Sequence, residues 1–103
     1  MREVYAVIKD GERKYATGPF EPLALDLVLG LSDIASNVYK DELLCVEFDG
    51  NRIEVLAKPK NVVIVCVGRN DCEHMELVYR LYRVCKAYED FGLMEILMGR
   101  YLN

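Results

Sequence analysis

The segment Val62-Val63-Ile64-Val65-Cys66-Val67 places the tightest limit on what this chain can fold into. It is apolar at every position and lies between two turn-rich stretches, Lys58-Pro59-Lys60-Asn61 and Gly68-Arg69-Asn70. Successive side chains of a strand point to opposite faces, so a strand without a polar face needs a packed layer on each side of the sheet. Six residues bounded by turn formers suit a strand better than a helix. Residues 3–8, EVYAVI, have the same character, with Tyr5 and Val7 on one face and Val4, Ala6 and Ile8 on the other. Both strands therefore belong at the centre of a sheet covered on both sides. A chain of 103 residues has room for one such layered domain, spanning 1–103, and not for a second.

Turn signals place the remaining strands. Asp10-Gly11 favours the positive-φ geometry of a two-residue hairpin, with a more polar return strand over 12–17 that reads as an edge. Asp49-Gly50-Asn51 likewise joins LLCVEF (43–48) to RIEVLA (52–57). The order is β-β-α-β-β-β-α-α, an α+β class. The two doubly apolar strands, first and fifth, should be neighbours, so the spatial order is 2-1-5-4-3 in one five-stranded antiparallel sheet with helices on both faces. LLCVEF then lies at the far edge.

Gly18-Pro19 breaks the chain, and Pro22 suits the first turn of a helix running to about residue 39. On its wheel Leu23, Leu27, Leu31, Ile34 and Val38 share one narrow arc, flanked by Ala24, Val28 and Ala35, and this arc is expected to face the core. Leu25, Leu29, Ser32 and Ser36 form a second stripe at spacings of 4, 3 and 4, expected to face outward and to admit a second helix closely. In the next helix, ending near residue 88, Asn70, Asp71 and Glu73 suit the N-terminal cap. Met75, Leu77, Val78, Leu81, Tyr82, Val84 and Cys85 fill its apolar half, and Glu73, Glu76, Arg80, Arg83 and Lys86 its charged half, with Glu76 and Arg80 in the favourable i,i+4 order. Leu93, Met94, Ile96, Leu97 and Tyr101 mark a short terminal helix.

Composition narrows the function. The net charge of −4 is spread along the chain and no segment concentrates basic residues, which speaks against nucleic acid as a partner. No apolar run approaches the roughly 18 residues of a membrane span, and the charged start is not a signal peptide, so a cytoplasmic protein is expected. Of the four cysteines, Cys45, Cys66, Cys72 and Cys85, two sit in strongly apolar runs, and with no export signal all four read as small buried hydrophobes in a reducing compartment. The spacing of Cys66, Cys72, His74 and Cys85 includes no C-x-x-C pair, so no metal is expected. His74 shares the apolar face of its helix with Leu81 and Cys85 and reads as a partly buried structural histidine. No phosphate-binding glycine loop or nucleophile elbow occurs, so neither a catalytic residue nor a cofactor is assigned. Glu47, Asp49 and Glu54 gather around the second hairpin as solvated carboxylates. Tyr5, Tyr82 and Tyr88 read as rims of the core, whereas Tyr39 and Tyr79 are candidate contact residues.

The hairpin YAVIKDGERKYATG, the helix after it, and KDELLCVEFDGNRIEVLAKPKNVVIVCVGRN followed by a helix together resemble the roadblock / dynein light-chain domains and their longin relatives over about residues 3–88. The resemblance rests on element order, hairpin placement and hydrophobic pattern. Roadblock domains commonly begin with an additional helix, which this chain lacks, whereas a second C-terminal helix is a longin habit. The resemblance implies a non-enzymatic, homodimeric scaffold that pairs the third strands of two copies and packs together the helices preceding them. It also implies a small Ras-like GTPase, or a larger assembly, as partner.

The residues point to the same surface. LLCVEF is an apolar edge strand without Lys or Pro to block pairing. The expected interface is therefore strand 43–48 with helix 22–39, through Leu25, Leu29, Ser32, Ser36, Leu43, Leu44, Cys45, Val46 and Phe48. Two alternatives stand beside it: a longin-type trafficking adaptor, and a PAS-like sensor, which shares the 2-1-5-4-3 sheet but holds a small ligand between sheet and helices.

Overall fold

A computed structural model describes residues 4–18, 22–48, 51–68 and 72–102. In chain order these form β1 (Val4–Lys9), β2 (Glu12–Ala16), α1 (Pro22–Asn37), β3 (Cys45–Phe48), β4 (Asn51–Lys58), β5 (Val62–Val67), α2 (Cys72–Ala87) and α3 (Leu93–Leu102). The strands make one antiparallel sheet in the order β2-β1-β5-β4-β3, as the two doubly apolar strands require. The expected cap residues Asn70 and Asp71, the side chain of Glu73, and Asp49-Gly50 of the second hairpin lie outside the described residues.

Alternation along the central strands divides the core in two. Tyr5 and Val7 of β1 join Val62, Ile64 and Cys66 of β5 under α2 and α3, where Met75, Val78, Leu81, Tyr82, Cys85, Met94 and Met98 close over them. Ala6 and Ile8 join Ile53, Val55 and Val65 on the other face, beneath Leu25 and Val28 of α1. The first layer thus takes two helices and the second only one.

Local chemistry sets the turns. Asp10 and Gly11 both have positive φ, 52° and 79°, and connect Lys9 to its partner Glu12 in the two-residue geometry that matches strand twist. The Asp10 N–H donates to the Asn61 carbonyl at 3.0 Å and the Lys9 ammonium donates to the Lys60 carbonyl, so the β1–β2 and β4–β5 turns are held together. Val7 opposes Tyr15 and Ile8 opposes Arg13, which leaves Lys14 as the extra residue of a bulge on the β2 edge. Helix α2 ends at Glu89 (φ 52°), with the Asp90 N–H on the Cys85 carbonyl at 3.0 Å, the closure of a Schellman motif.

Four assignments made from the sequence are corrected. On α1 the expected faces are exchanged: Leu25, expected outward, is 8% exposed, whereas Leu27, Ile34 and Val38, expected in the core, are 43%, 49% and 66% exposed; Val28, expected to flank the core, is fully buried. His74 is exposed rather than lodged on the apolar face of α2. Tyr88 is 74% exposed and rims nothing, while Tyr5 and Tyr82 are buried as expected. Glu76 makes its ion pair with Lys58 of β4, Oε1 to Nζ 2.6 Å, and not with Arg80.

Candidate docking surface

Helix α1 carries two apolar stripes, and the sheet takes the one that narrows along the helix. Leu25 packs on Ala6, Ile8, Ile53, Val55 and Val65, and Leu29 packs partly against the same cluster. One and two turns further on, the positions facing the sheet are Ser32 and Ser36, too short to reach it. A cleft of about 640 Å³ opens there between the C-terminal half of α1 and the end of the sheet. Its apolar wall includes Ile8, Leu29, Leu43 and Val63, and its rim carries Asp10, Asp33, Asp41 and Glu42.

The four helical residues expected at an interface thus belong to the sheet-facing side: Leu25 in the core, Leu29, Ser32 and Ser36 along the cleft. The residues near β3 are distributed differently. Leu43 and Val46 pack partly against the α1-side cluster, Cys45 is half-buried, Leu44 is 67% exposed, and the side chain of Phe48 lies outside the described residues.

The other stripe of α1 faces outward. Leu27, Leu31, Ile34 and Val38 repeat at 4, 3 and 4, the spacing of a helix–helix seam, and lie roughly 160° around the axis from the sheet-facing side. Leu31 is half-buried and the other three are exposed. Tyr39, just past the helix, is also exposed, consistent with a contact residue and with no place in the core. Left-handed Lys40 and the Asp41 N–H bond to the Ala35 carbonyl, 2.9 Å, end the helix and send the chain toward Leu44 and β3.

β3 bonds only to β4 and occupies the edge of the sheet. The opposite edge, β2, presents exposed Glu12, Arg13 and Lys14 together with the bulge. On the face of β3 and β4 away from α1, Arg52 binds Glu47 through Nη1 at 2.7 Å and Glu54 through Nε, which ties two of the hairpin carboxylates into one network. These bonds hold the guanidinium proton more tightly than usual.

Among the described residues, no group of three or more His, Cys, Asp or Glu is placed to hold a metal. Cys45 and Cys85 are free thiols, and burial, with a smaller contribution from Asp90, pushes the Cys85 thiol up and keeps it protonated. No helix of the described residues is long and apolar enough to cross a membrane. Compared with models of protein families, with curated proteins and with solved structures, the chain matches none.

Proposed function

We propose that this chain is a homodimeric, non-enzymatic platform of the roadblock/longin kind, acting in the cytoplasm by presenting a composite surface to a small Ras-like GTPase or a larger assembly. The observation that carries this reading is the outward stripe Leu27-Leu31-Ile34-Val38 on the helix leading into the open β3 edge. Apolar side chains at seam spacing and an unblocked strand edge each call for cover, and a second copy supplies both at once. Pairing β3 antiparallel to its own copy is self-complementary, so one two-fold axis serves both contacts. The helix half of the interface is the stripe at 27, 31, 34 and 38, and no longer the stripe at 25, 29, 32 and 36.

Ile34→Asp with Val38→Asp tests the reading at positions whose exposure leaves the monomer fold intact. Wild-type protein should sediment as a dimer at micromolar concentration, and the double variant as a monomer with a native circular dichroism spectrum. A monomeric wild type sinks the proposal. Retention of a small GTPase by purified wild-type protein, and not by the double variant, would tie the dimer to its partner.

A second reading rests on the cleft beneath α1. Its volume of about 640 Å³ falls within the range of small-molecule sites, as a ligand sensor with this sheet order would need. Native mass spectrometry separates the two readings. A stoichiometric small molecule retained on the purified chain, and lost in Ser32→Leu, favours the sensor; an empty chain removes it.

A further inference from the structure

On the face of the sheet opposite α1, two shallow clefts adjoin along α2, sharing Arg83 and Ala87. The larger, about 550 Å³, has Val62, Tyr79 and Tyr82 in its wall; the smaller, about 360 Å³, has Val84 and Tyr88. Lys60, Arg80, Arg83 and Lys86 stand around them, and no carboxylate among the described residues lines either. A glutamate of this helix that could have neutralised the face, Glu76, is held by Lys58 at 2.6 Å. None of the four cations makes an ion pair among the described residues. Tyr79 is held between cations, with Lys58 Nζ 5.1 Å and Arg83 Cζ 5.9 Å from its ring centre. An acidic chain has thus gathered unpaired cations around an aromatic groove, and Tyr88 is left 74% exposed beside it.

We infer that this groove docks an acidic peptide segment of a partner protein, its carboxylates on Arg80, Arg83 and Lys86 and an apolar side chain against Tyr79 and Ala87. The cations at 80, 83 and 86 climb the helix in steps of about 4.5 Å, so one short segment can meet all three. Arginine offers a planar fork that matches a carboxylate, and the aromatic floor supplies the apolar contact that fixes a segment in place. A nucleic acid is the weaker occupant, because the whole chain carries −4 and its own field opposes a long polyanion. The groove lies across the sheet from the α1 stripe, so it stands or falls separately from the dimer.

A random peptide library panned on the full chain, with counter-selection on the Arg83→Glu, Lys86→Glu variant, tests the inference. Both positions are exposed, so the variant should keep its thermal melt. Selected peptides should be rich in Asp and Glu with an aromatic or aliphatic residue between them, and should bind the variant at least about tenfold more weakly. Tyr79→Ala should weaken the same peptides, whereas Ile34→Asp should not. The inference is overturned if the selected peptides show no acidic excess, if they bind the charge-reversed variant equally well, or if a single-stranded oligonucleotide or a phosphatidylserine vesicle binds more tightly than they do.

Discussion

Tyr15 illustrates how one side chain on a polar edge strand can depend on a distant element. It stands on β2 but packs against the cluster beneath α2 and α3. Burial raises its phenol above the ordinary value of about 10, and the charges of Glu95 and Cys85 push the same way. A folded-state pKa above the unfolded one means full stability while both states hold the proton, below about pH 10. As pH rises further the unfolded chain ionises first and stability falls. Tyr15→Phe should therefore flatten the decline of melting temperature above pH 10, measured by circular dichroism, and leave its neutral-pH shape alone. Identical alkaline profiles for the two proteins would contradict the packing described.

Among the elements, α1 separates what the pattern of residues can tell from what it cannot. The sheet order was legible because Val62–Val67 and the strand at 3–8 have no polar face, and only neighbouring central positions accommodate two such strands. The hairpin at Asp10-Gly11 was legible because that dipeptide tolerates the positive φ both residues adopt. The orientation of α1 was not, since Leu23, Leu27, Leu31, Ile34 and Val38 form a more continuous apolar arc than Leu25, Val28 and Leu29. Hydrophobicity alone assigns the longer arc to the core. The sheet takes the shorter one, leaving a cleft behind Ser32 and Ser36 and an uncovered seam at 27–38. Alanine substitution distinguishes the two faces. Leu25→Ala should cost about 2–4 kcal/mol in chemical denaturation at concentrations where the chain is monomeric, and Leu27→Ala less than about 1 kcal/mol under the same conditions. The reverse ranking would restore the orientation expected from the wheel.

For the whole molecule, charge that looks evenly mixed along the chain is mostly of one sign around each cleft. Asp10, Asp33, Asp41 and Glu42, with Lys58 among them, line the cleft on the α1 side, and Lys60, Arg80, Arg83 and Lys86 line the grooves on the α2 side. Contacts of different physical origin should then respond differently to salt. Between about 0.1 M and about 1 M the screening length shrinks from about 10 Å to about 3 Å. Peptide affinity at the α2 groove should fall steeply over that range, while the dimer fraction from sedimentation equilibrium, resting on apolar side chains and main-chain bonds, should hold or rise. A dimer that dissociates in salt would shift the interface from the α1 stripe to the charged faces.

The two ends of the sheet also bear on how large an assembly can grow. β2 is armed with Glu12, Arg13 and Lys14 and twisted by its bulge, whereas β3 pairs with β4 without a register shift and carries one charged side chain, Glu47, which is tied to Arg52. A ribbon with one sealed margin can be lengthened only once: when two bare margins have met, only sealed ones remain outside. Association through β3, as proposed above, would therefore be self-terminating, and the exposed strand that would be a hazard in a chain with two open ends would act as a counter that stops at two.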